Sequence, residues 1–449
     1  MIKKRPTTPR EVALFTLFSM NEDGAWSDGA LHYYLERADL SARDAALATR
    51  LSYGVIQNRA MCDFYLTRFS SVRLKKIDAR VLEALRMGVY QLTLMERIPA
   101  HAAVGETVAL IERYAHASTR TVGFANGVLR AVARAVETKT LPVLNCAEKE
   151  SYYALRYSHP EWLVRAWSAQ FGQKETGRLC EADNAAAPLS LRVSREKIAR
   201  QDAIAALEAA GFAPRAHETI ENIVLCAGGD IANLSLFQQG TVTVQDGAGV
   251  VCVDTLDPQP HELIVDCCAA PGGKSFYAAE RMKNTGKVVS CDIYEHKLDK
   301  IKAGAARLGA HNVETRLADA TKRQDDLVGR ADRVLCDVPC SGLGIIRKKP
   351  EIRYKTPEAL AELPAVQLAI LQNCADYVKP GGTLVYSTCT IMQCENKDVV
   401  RAFLAERPDF ALEPFSHPAC GMQEEGMVTL LPHIHDTDGF FIAKLRRNT

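Results

Sequence analysis

The chain has 449 residues, 47% of them hydrophobic and 24% charged, which is an ordinary globular composition with room for two or three domains. A net charge of +1 excludes a global basic field that would mark a nucleic-acid binder, though not local patches. No run approaches the roughly 18–20 apolar residues of a membrane span, so no membrane partner is expected.

The basic start, MIKKRPTTPR, leads into no apolar segment of the kind a signal peptide needs. With no export expected, fourteen cysteines point to free thiols in a reducing cytoplasm. Residues 1–150 carry 21 Lys and Arg against 16 Asp and Glu. That excess leans toward an acidic partner, and a solvated helical surface accounts for it as well. Residues 1–140 read as all helix. In ARVLEALRMGVYQLTL the apolar Leu82, Leu85, Val89 and Leu92 repeat at spacings of three and four. Val104, Val108 and Ile111 continue the pattern, and Pro99 marks the break between the two helices. KTLPVLNCAEKE (139–150) has no periodicity and reads as a linker. Residues 141–240 as a whole are expected to form this linker and a small α+β module, with REKIARQDAIAALEAAGF as helix and LSLRV and NIVLCA as strands.

From 241 to 449 short apolar runs alternate with helical stretches. The predicted strands are ELIVDCC, GKVVSCDI, NVETRLAD, ADRVLCDVP and GGTLVYSTC. Between them KSFYAAERM, EHKLDKIKAGAARLG and PAVQLAILQNCADYV carry helix patterns, the last expected to close at Pro380-Gly381-Gly382. This alternation predicts an α/β fold, a parallel sheet covered on both faces, with ligands beyond the carboxyl ends of the strands.

DCCAAPGGKS (266–275) sits at such an end. A triphosphate-binding loop would need a glycine at position 268, which is Cys268, and the G-x-G-x-x-G pattern also fails. A strand, a Pro-Gly-Gly turn and a helix start remain, enough to hold a nucleotide-like ligand against exposed amides. Asp266, Asp292, Asp319 and Asp337 end four successive strands and should line one rim. A lone Asp there is most often a helix cap; four with a glycine turn point to an adenosine cofactor. Cys340, in DVPCSGLG, and Cys389, in YSTCT, should meet over the same rim. Metal ligation is not expected, because the spacings Cys336/Cys340 and Cys389/Cys394 lack the C-x-x-C form. Two free thiols beside an adenosine pocket suit methylation of a pyrimidine at carbon 5. A thiolate adds to carbon 6, carbon 5 then takes the methyl group, and loss of its proton expels the enzyme. A carboxyl group bonded to ring nitrogen 3 would stabilise the charge that develops on addition.

At these residues the chain resembles the RNA cytosine-5 methyltransferase family, within it the bacterial RsmB (Sun/Fmu) group acting on small-subunit ribosomal RNA. The matching stretches are Cys268–Lys274, Asp337–Gly344, Tyr386–Cys389, VQDGAG with Gln245 and Asp246, IRKKPEIRY (346–354) and DGFFIAKL (438–445). AALATRLSYGVIQNR, RMGVYQLTLMERIPAHAAVGETV and GFANGVLRAVAR look like the NusB-type RNA-binding domain that opens such proteins. The resemblance implies a Rossmann-like S-adenosylmethionine-dependent methyltransferase sheet, preceded by the all-α NusB-like domain and the α+β module. It implies Cys389 as the nucleophile, Cys340 as the thiol assisting release, and Asp337 near the base. It places S-adenosylmethionine against Cys268, Ala269, Ala270, Pro271, Gly272, Gly273, Lys274, Asp292, Asp319 and Asp337, in a cytoplasmic monomer acting on RNA. Two departures stand out: TIMQCEN (390–396) puts a third thiol at Cys394, and Ser275 stands where threonine is common.

Other readings are a methyltransferase for another RNA such as tRNA, and an RNA-binding ribosome assembly factor that has lost the reaction. The intact thiol pair speaks against the second, since a binding module needs neither. A DNA enzyme would be expected to carry a target-recognition insert, which is absent, and a protein-modifying enzyme needs no nucleophilic thiol.

Overall fold

A computed structural model describes residues 4–449 except 228 and 230, so the first three residues of the basic start lie outside it. The chain divides into two compact units, Met1–Asn184 with Lys348–Tyr354, and Ala185–Arg347 with Lys355–Thr449.

The first unit is helical. Seven helices run from Pro9–Asp23 to Thr119–Glu137, and Ala79–Leu94 and Ala100–Tyr114 reproduce the two periodic stretches. Asp78 starts the first of these by accepting from the amides of Arg80 and Val81, and Pro99 precedes the second. Leu85, Val89 and Ile111 are fully buried in its core, each contributing about 1.5–3 kcal/mol by leaving water. Three more helices, Lys149–Arg156, Glu161–Phe171 and Gln173–Asn184, belong to the same unit. The sequence reading expected linker and α+β module over 141–240; strands begin only at Leu189. The added helices bury Leu163, Val164, Trp167 and Leu179.

Lys348–Tyr354, from the basic stretch IRKKPEIRY, also belongs to this unit. Arg353 is fully buried. It donates to the carbonyl oxygens of Tyr157 at 2.9 Å and Pro350 at 3.1 Å, and to Asn184 Oδ1 at 2.8 Å. The Tyr354 hydroxyl donates to the Ile56 carbonyl at 2.7 Å.

The second unit holds a small antiparallel sheet and a large mixed one. The small sheet contains β1 (Leu189–Val193), β2 (Pro214–Ala216), β3 (Ile223–Cys226) and β4 (Val242–Val244) in the order β2-β3-β1-β4. The helix Arg200–Ala209 packs its Ala203 and Leu207 with Leu191, Val193 and Val224 of this sheet.

The large sheet begins with β5 (Leu263–Asp266), β6 (Lys287–Asp292), β7 (Val313–Leu317), β8 (Ala331–Asp337) and β9 (Val378–Thr388). A hairpin, β11 (Phe415–His417) with β12 (Gly421–Gln423), lies between the short strands β10 (Phe410–Leu412) and β13 (Met427–Leu430), and β14 (Phe440–Arg447) follows. The order is β10-β14-β9-β8-β5-β6-β7, with β13 also on β14. The five expected strands pair in parallel, and β14 adds antiparallel to β9. Ile264, Val288, Leu335 and Val385 enter one core, while Val265, Val289, Val334 and Leu384 enter another. Adjacent residues thus bury on opposite faces, as a sheet covered on both sides requires.

One boundary differs from the sequence reading. The helix Leu363–Ala375 stops before Pro380-Gly381-Gly382, which lies inside β9. Ala331 pairs with Val378 but Arg333 with Thr383, so a register irregularity there absorbs the Pro-Gly-Gly residues.

Candidate active site

The rim of the large sheet collects the strand-end carboxylates in the order Asp337, Asp266, Asp292 and then Asp319, because β5 lies between β8 and β6. Chain order and spatial order differ, as they must at a switch point of a doubly wound sheet. A cavity of about 390 Å³ opens beyond the ends of β5, β8 and β9. Cys268, Ala269, Ala270, Pro271, Gly273 and Lys274 line it, together with Asp266, Asp337 and Cys389.

The turn before the helix Gly273–Arg281 places Gly272 at φ +107°, a conformation that side chains other than hydrogen rarely adopt. The Ser275 hydroxyl, in the helix's first turn, donates to Asp266 Oδ2 at 2.6 Å and accepts from the Ser290 hydroxyl at 2.8 Å. Burial pushes the Asp266 carboxyl up to about 7, and its Oδ1 has no partner. Gln245 lines the same cavity. Arg192, buried in the small sheet, donates to Gln245 Oε1 at 2.7 Å, leaving Nε2 buried and unpartnered on the cavity wall. An orphaned acceptor and an orphaned donor on one wall fit a ligand with complementary polar groups, such as the amino acid end of S-adenosylmethionine.

Lys274 and Asp337 form the charged centre, with Nζ to Oδ2 at 2.6 Å, and Ser387 donates to Oδ1 at 2.9 Å. Burial pulls the Lys274 ammonium down, but Asp337 more than offsets it, so the lysine stays protonated. Its Nζ also lies 5.1 Å from the centre of the Phe440 ring.

The two cysteines do meet. Cys340 Sγ and Cys389 Sγ are 3.2 Å apart, and both side chains are half-buried. The hydrogen bond to Cys389, with burial added, raises the Cys340 thiol well above its ordinary value. Gly344 donates to the Cys389 carbonyl at 3.0 Å, and Gly439 donates to the Gly344 carbonyl at 2.8 Å. A side chain on Gly344 would collide with the Gly439 carbonyl, so glycine is required for the two segments to approach. Cys394 is exposed on the short turn Gln393–Glu395.

Asp292 and Asp319 lie further along the rim, outside the residues lining the cavity. Asp292 is nearly buried and accepts from the Tyr294 amide at 3.0 Å. Beside it Ile293 and Tyr294 are about half exposed, a large apolar surface next to a carboxylate. Asp319, two residues beyond β7, accepts from the amide and hydroxyl of Thr321.

Sequence reasoning did not place Ile345, Asp438 or Phe440 on the cavity wall. A signal existed for Asp438: Asp246 Oδ1 accepts from both the Ala248 and Asp438 amides, at 3.0 and 2.9 Å. That bond joins the VQDGAG and DGFFIAKL stretches. Elsewhere in this unit the sulfur atoms of Cys267, Cys336 and Cys374 lie within 4.8 Å of one another, inside an apolar core with Val265, Val289 and Tyr377. Burial pushes the Cys336 thiol well up, while hydrogen bonds from Cys267 and Cys336 hold the Cys374 thiol down at about 5.

Fold and site define an S-adenosylmethionine-dependent methyltransferase with a Rossmann-like catalytic sheet. Residues 253–446 match the family described as 16S rRNA methyltransferase RsmB/F, and the chain is 36% identical to the probable ribosomal RNA small subunit methyltransferase B of Bacillus subtilis, over 99% of both chains. The chain belongs to the RsmB/F family of methyltransferases. A second relative, the probable ribosomal RNA small subunit methyltransferase B of Synechocystis, is 34% identical over 98% of this chain and 99% of its own. A solved methyltransferase homologue from Pyrococcus horikoshii is 27% identical, with a TM-score of 0.58 over 67% of this chain and 100% of its own. Residues 7–134 match the NusB family, and 159–231 match the ferredoxin-like domain of RsmF/B-like methyltransferases.

Proposed function

We propose that the protein methylates carbon 5 of a cytosine in small-subunit (16S) ribosomal RNA through a covalent adduct on Cys389. The observation that carries this reading is the pair of sulfur atoms 3.2 Å apart, with Cys389 on the wall of the cofactor cavity beside Asp337 and Lys274. The names of the relatives support the choice of RNA.

Cys389, as thiolate, forms a bond to carbon 6 of the ring, and the electron pair of the 5,6 double bond moves toward carbon 5. Asp337, held by Lys274, accepts from the exocyclic amine of the base, and the lysine ammonium offers a donor to the ring edge. When bound, S-adenosylmethionine would supply carbon 5 with an electrophilic methyl group and would leave as the neutral thioether S-adenosylhomocysteine. Loss of the carbon-5 proton to a base re-forms the double bond and breaks the bond to Cys389. Cys340, still protonated, donates a hydrogen bond to the departing sulfur and so assists release. Cys268–Lys274 and Asp337 hold the cofactor, with Asp292 and Asp319 reached along the rim.

The NusB-like helices supply RNA contacts. The protein works as a cytoplasmic monomer, consistent with fourteen free cysteines.

The test is the pair of cysteine variants with S-adenosylmethionine and RNA. Cys389→Ala should lose methyl transfer while still binding cofactor. Cys340→Ala should methylate but stay attached to RNA through Cys389, giving a slow band on a denaturing gel. The reverse pattern would exchange the roles, and methylation by both variants with no adduct would end the covalent reading. Bisulfite sequencing of ribosomal RNA from a deletion strain identifies the substrate.

A further inference from the structure

We infer that Glu395 is a positioning residue, a buried clasp that sets the distance between the two active-site sulfur atoms. The inference rests on the covalent reading for its functional consequence, though not for its geometry.

Glu395 is 2% exposed and has no part in the cofactor cavity. Its Oε2 accepts from the backbone amide of Ser341 at 2.8 Å and from Gln367 Nε2 at 2.9 Å. Its Oε1 accepts from the Thr390 hydroxyl at 3.3 Å. Ser341 directly follows Cys340, and Thr390 directly follows Cys389. One carboxylate therefore holds the residue after each thiol. The Ser341 and Thr390 hydroxyls also bond each other at 2.8 Å, and Gln367 Nε2 reaches the Pro339 carbonyl at 3.0 Å on the other side of Cys340. The Tyr386 hydroxyl donates to the Glu395 carbonyl at 2.6 Å, fixing the short turn that carries it.

The two thiols depend on this clasp unequally. Cys389 directly follows β9, whose last residue, Thr388, is paired in register with Phe441. Cys340 lies beyond the end of β8, in a segment without helix or strand. Losing Glu395 frees Cys340 more than Cys389. Release of the methylated RNA should then suffer more than addition.

Glutamine can preserve the geometry. Its carbonyl oxygen can accept from Ser341 and Gln367, while its amide donates to the Thr390 hydroxyl, which also accepts. Alanine preserves none of it. If Glu395 acted instead through its charge, glutamine would be as damaging as alanine.

The experiment has two readouts on the full-length protein. The first is the diamide-driven disulfide between Cys340 and Cys389, followed by mass spectrometry of that peptide pair. There the two thiols give up two hydrogens to diamide, which is reduced to its hydrazine. This reports sulfur apposition whether or not the enzyme uses an adduct. The second is the fraction of protein trapped on RNA during turnover. Glu395→Ala should slow disulfide formation roughly tenfold or more, the scale on which small misplacements act, and should accumulate adduct as Cys340→Ala does. Glu395→Gln should recover most of both. Thr390→Val, which cuts one arm of the clasp with little change in volume, should fall between them and serves if the alanine variant does not fold. Unchanged cofactor affinity by calorimetry separates this from general loss of structure.

Slow disulfide formation in Glu395→Ala with no adduct from any variant would leave the clasp standing and remove the covalent reading. Wild-type disulfide rates in Glu395→Ala and Thr390→Val, or equal damage from Gln and Ala, would overturn the clasp.

Discussion

Replacing Asp266 by asparagine removes a titratable group buried at the end of β5, beneath the cofactor loop. The folded carboxyl sits at about 7 against an ordinary 3.8, pushed there by burial. A carboxyl raised in this way keeps its proton in the folded state at pH values where the unfolded chain has lost it. Stability therefore falls as pH rises from near 3.8, and the loss is complete only above about pH 7. With these two values, linkage gives a penalty of about 2 kcal/mol at pH 5.5 and about 4 kcal/mol at pH 8.5. Asparagine carries no such penalty. Its oxygen still accepts from Ser275, so the rest of the exchange is a pH-independent offset. The assay is urea denaturation at both pH values, following the transition of the unit that contains the large sheet. The variant should gain about 2 kcal/mol on the wild type between pH 5.5 and 8.5. A stability difference that does not change with pH would refute the reasoning, because Asp266 would then not titrate near neutrality.

Asp292→Ala should weaken S-adenosylmethionine by about 1.5–3 kcal/mol if the carboxylate accepts from the ribose hydroxyls at this nearly buried site; unchanged affinity by calorimetry in a folded variant removes Asp292 from the site. Arg353→Met should destabilise the helical unit by about 3–5 kcal/mol, since several buried carbonyl groups lose a charged donor at once. A shift of the helical unit's melting temperature measures this, and a loss confined to RNA affinity with unchanged melting would return Arg353 to the role of a surface basic residue.

The placement of the rim residues was legible because its signals are local. A strand of apolar residues ending in an acid, then a small-residue turn, places Asp266, Asp337 and Cys389 where the sheet puts them. The helix Ala79–Leu94 was legible for the same reason, one apolar face at constant period. The errors fall where a tertiary partner overrides a local rule. Pro380-Gly381-Gly382 is a stop signal in isolation, yet β8 extends alongside it and the register irregularity lets β9 start three residues earlier than Gly381, at Val378. Arg353 reads as part of a basic stretch, and only the carbonyl groups of Tyr157 and Pro350 and the side chain of Asn184 explain its burial. Glu395 carried no signal of its role, because Ser341 and Thr390 each follow a cysteine in sequence but only the fold brings Ser341 to the same carboxylate as Thr390.

The assignment of Lys348–Tyr354 to the helical unit has a consequence for synthesis. Arg353 emerges from the ribosome 169 residues after Asn184, the residue it bonds. At about 5–20 residues per second, that is a delay of roughly 8–34 s. Through that interval the carbonyl groups awaiting Arg353 lack their donor, and the growing chain has already passed through β5 to β8. The usual order, in which an N-terminal body is finished before its successor begins, cannot hold here. A nascent chain arrested before residue 348 should therefore be cut by protease within 149–184 more readily than the finished protein.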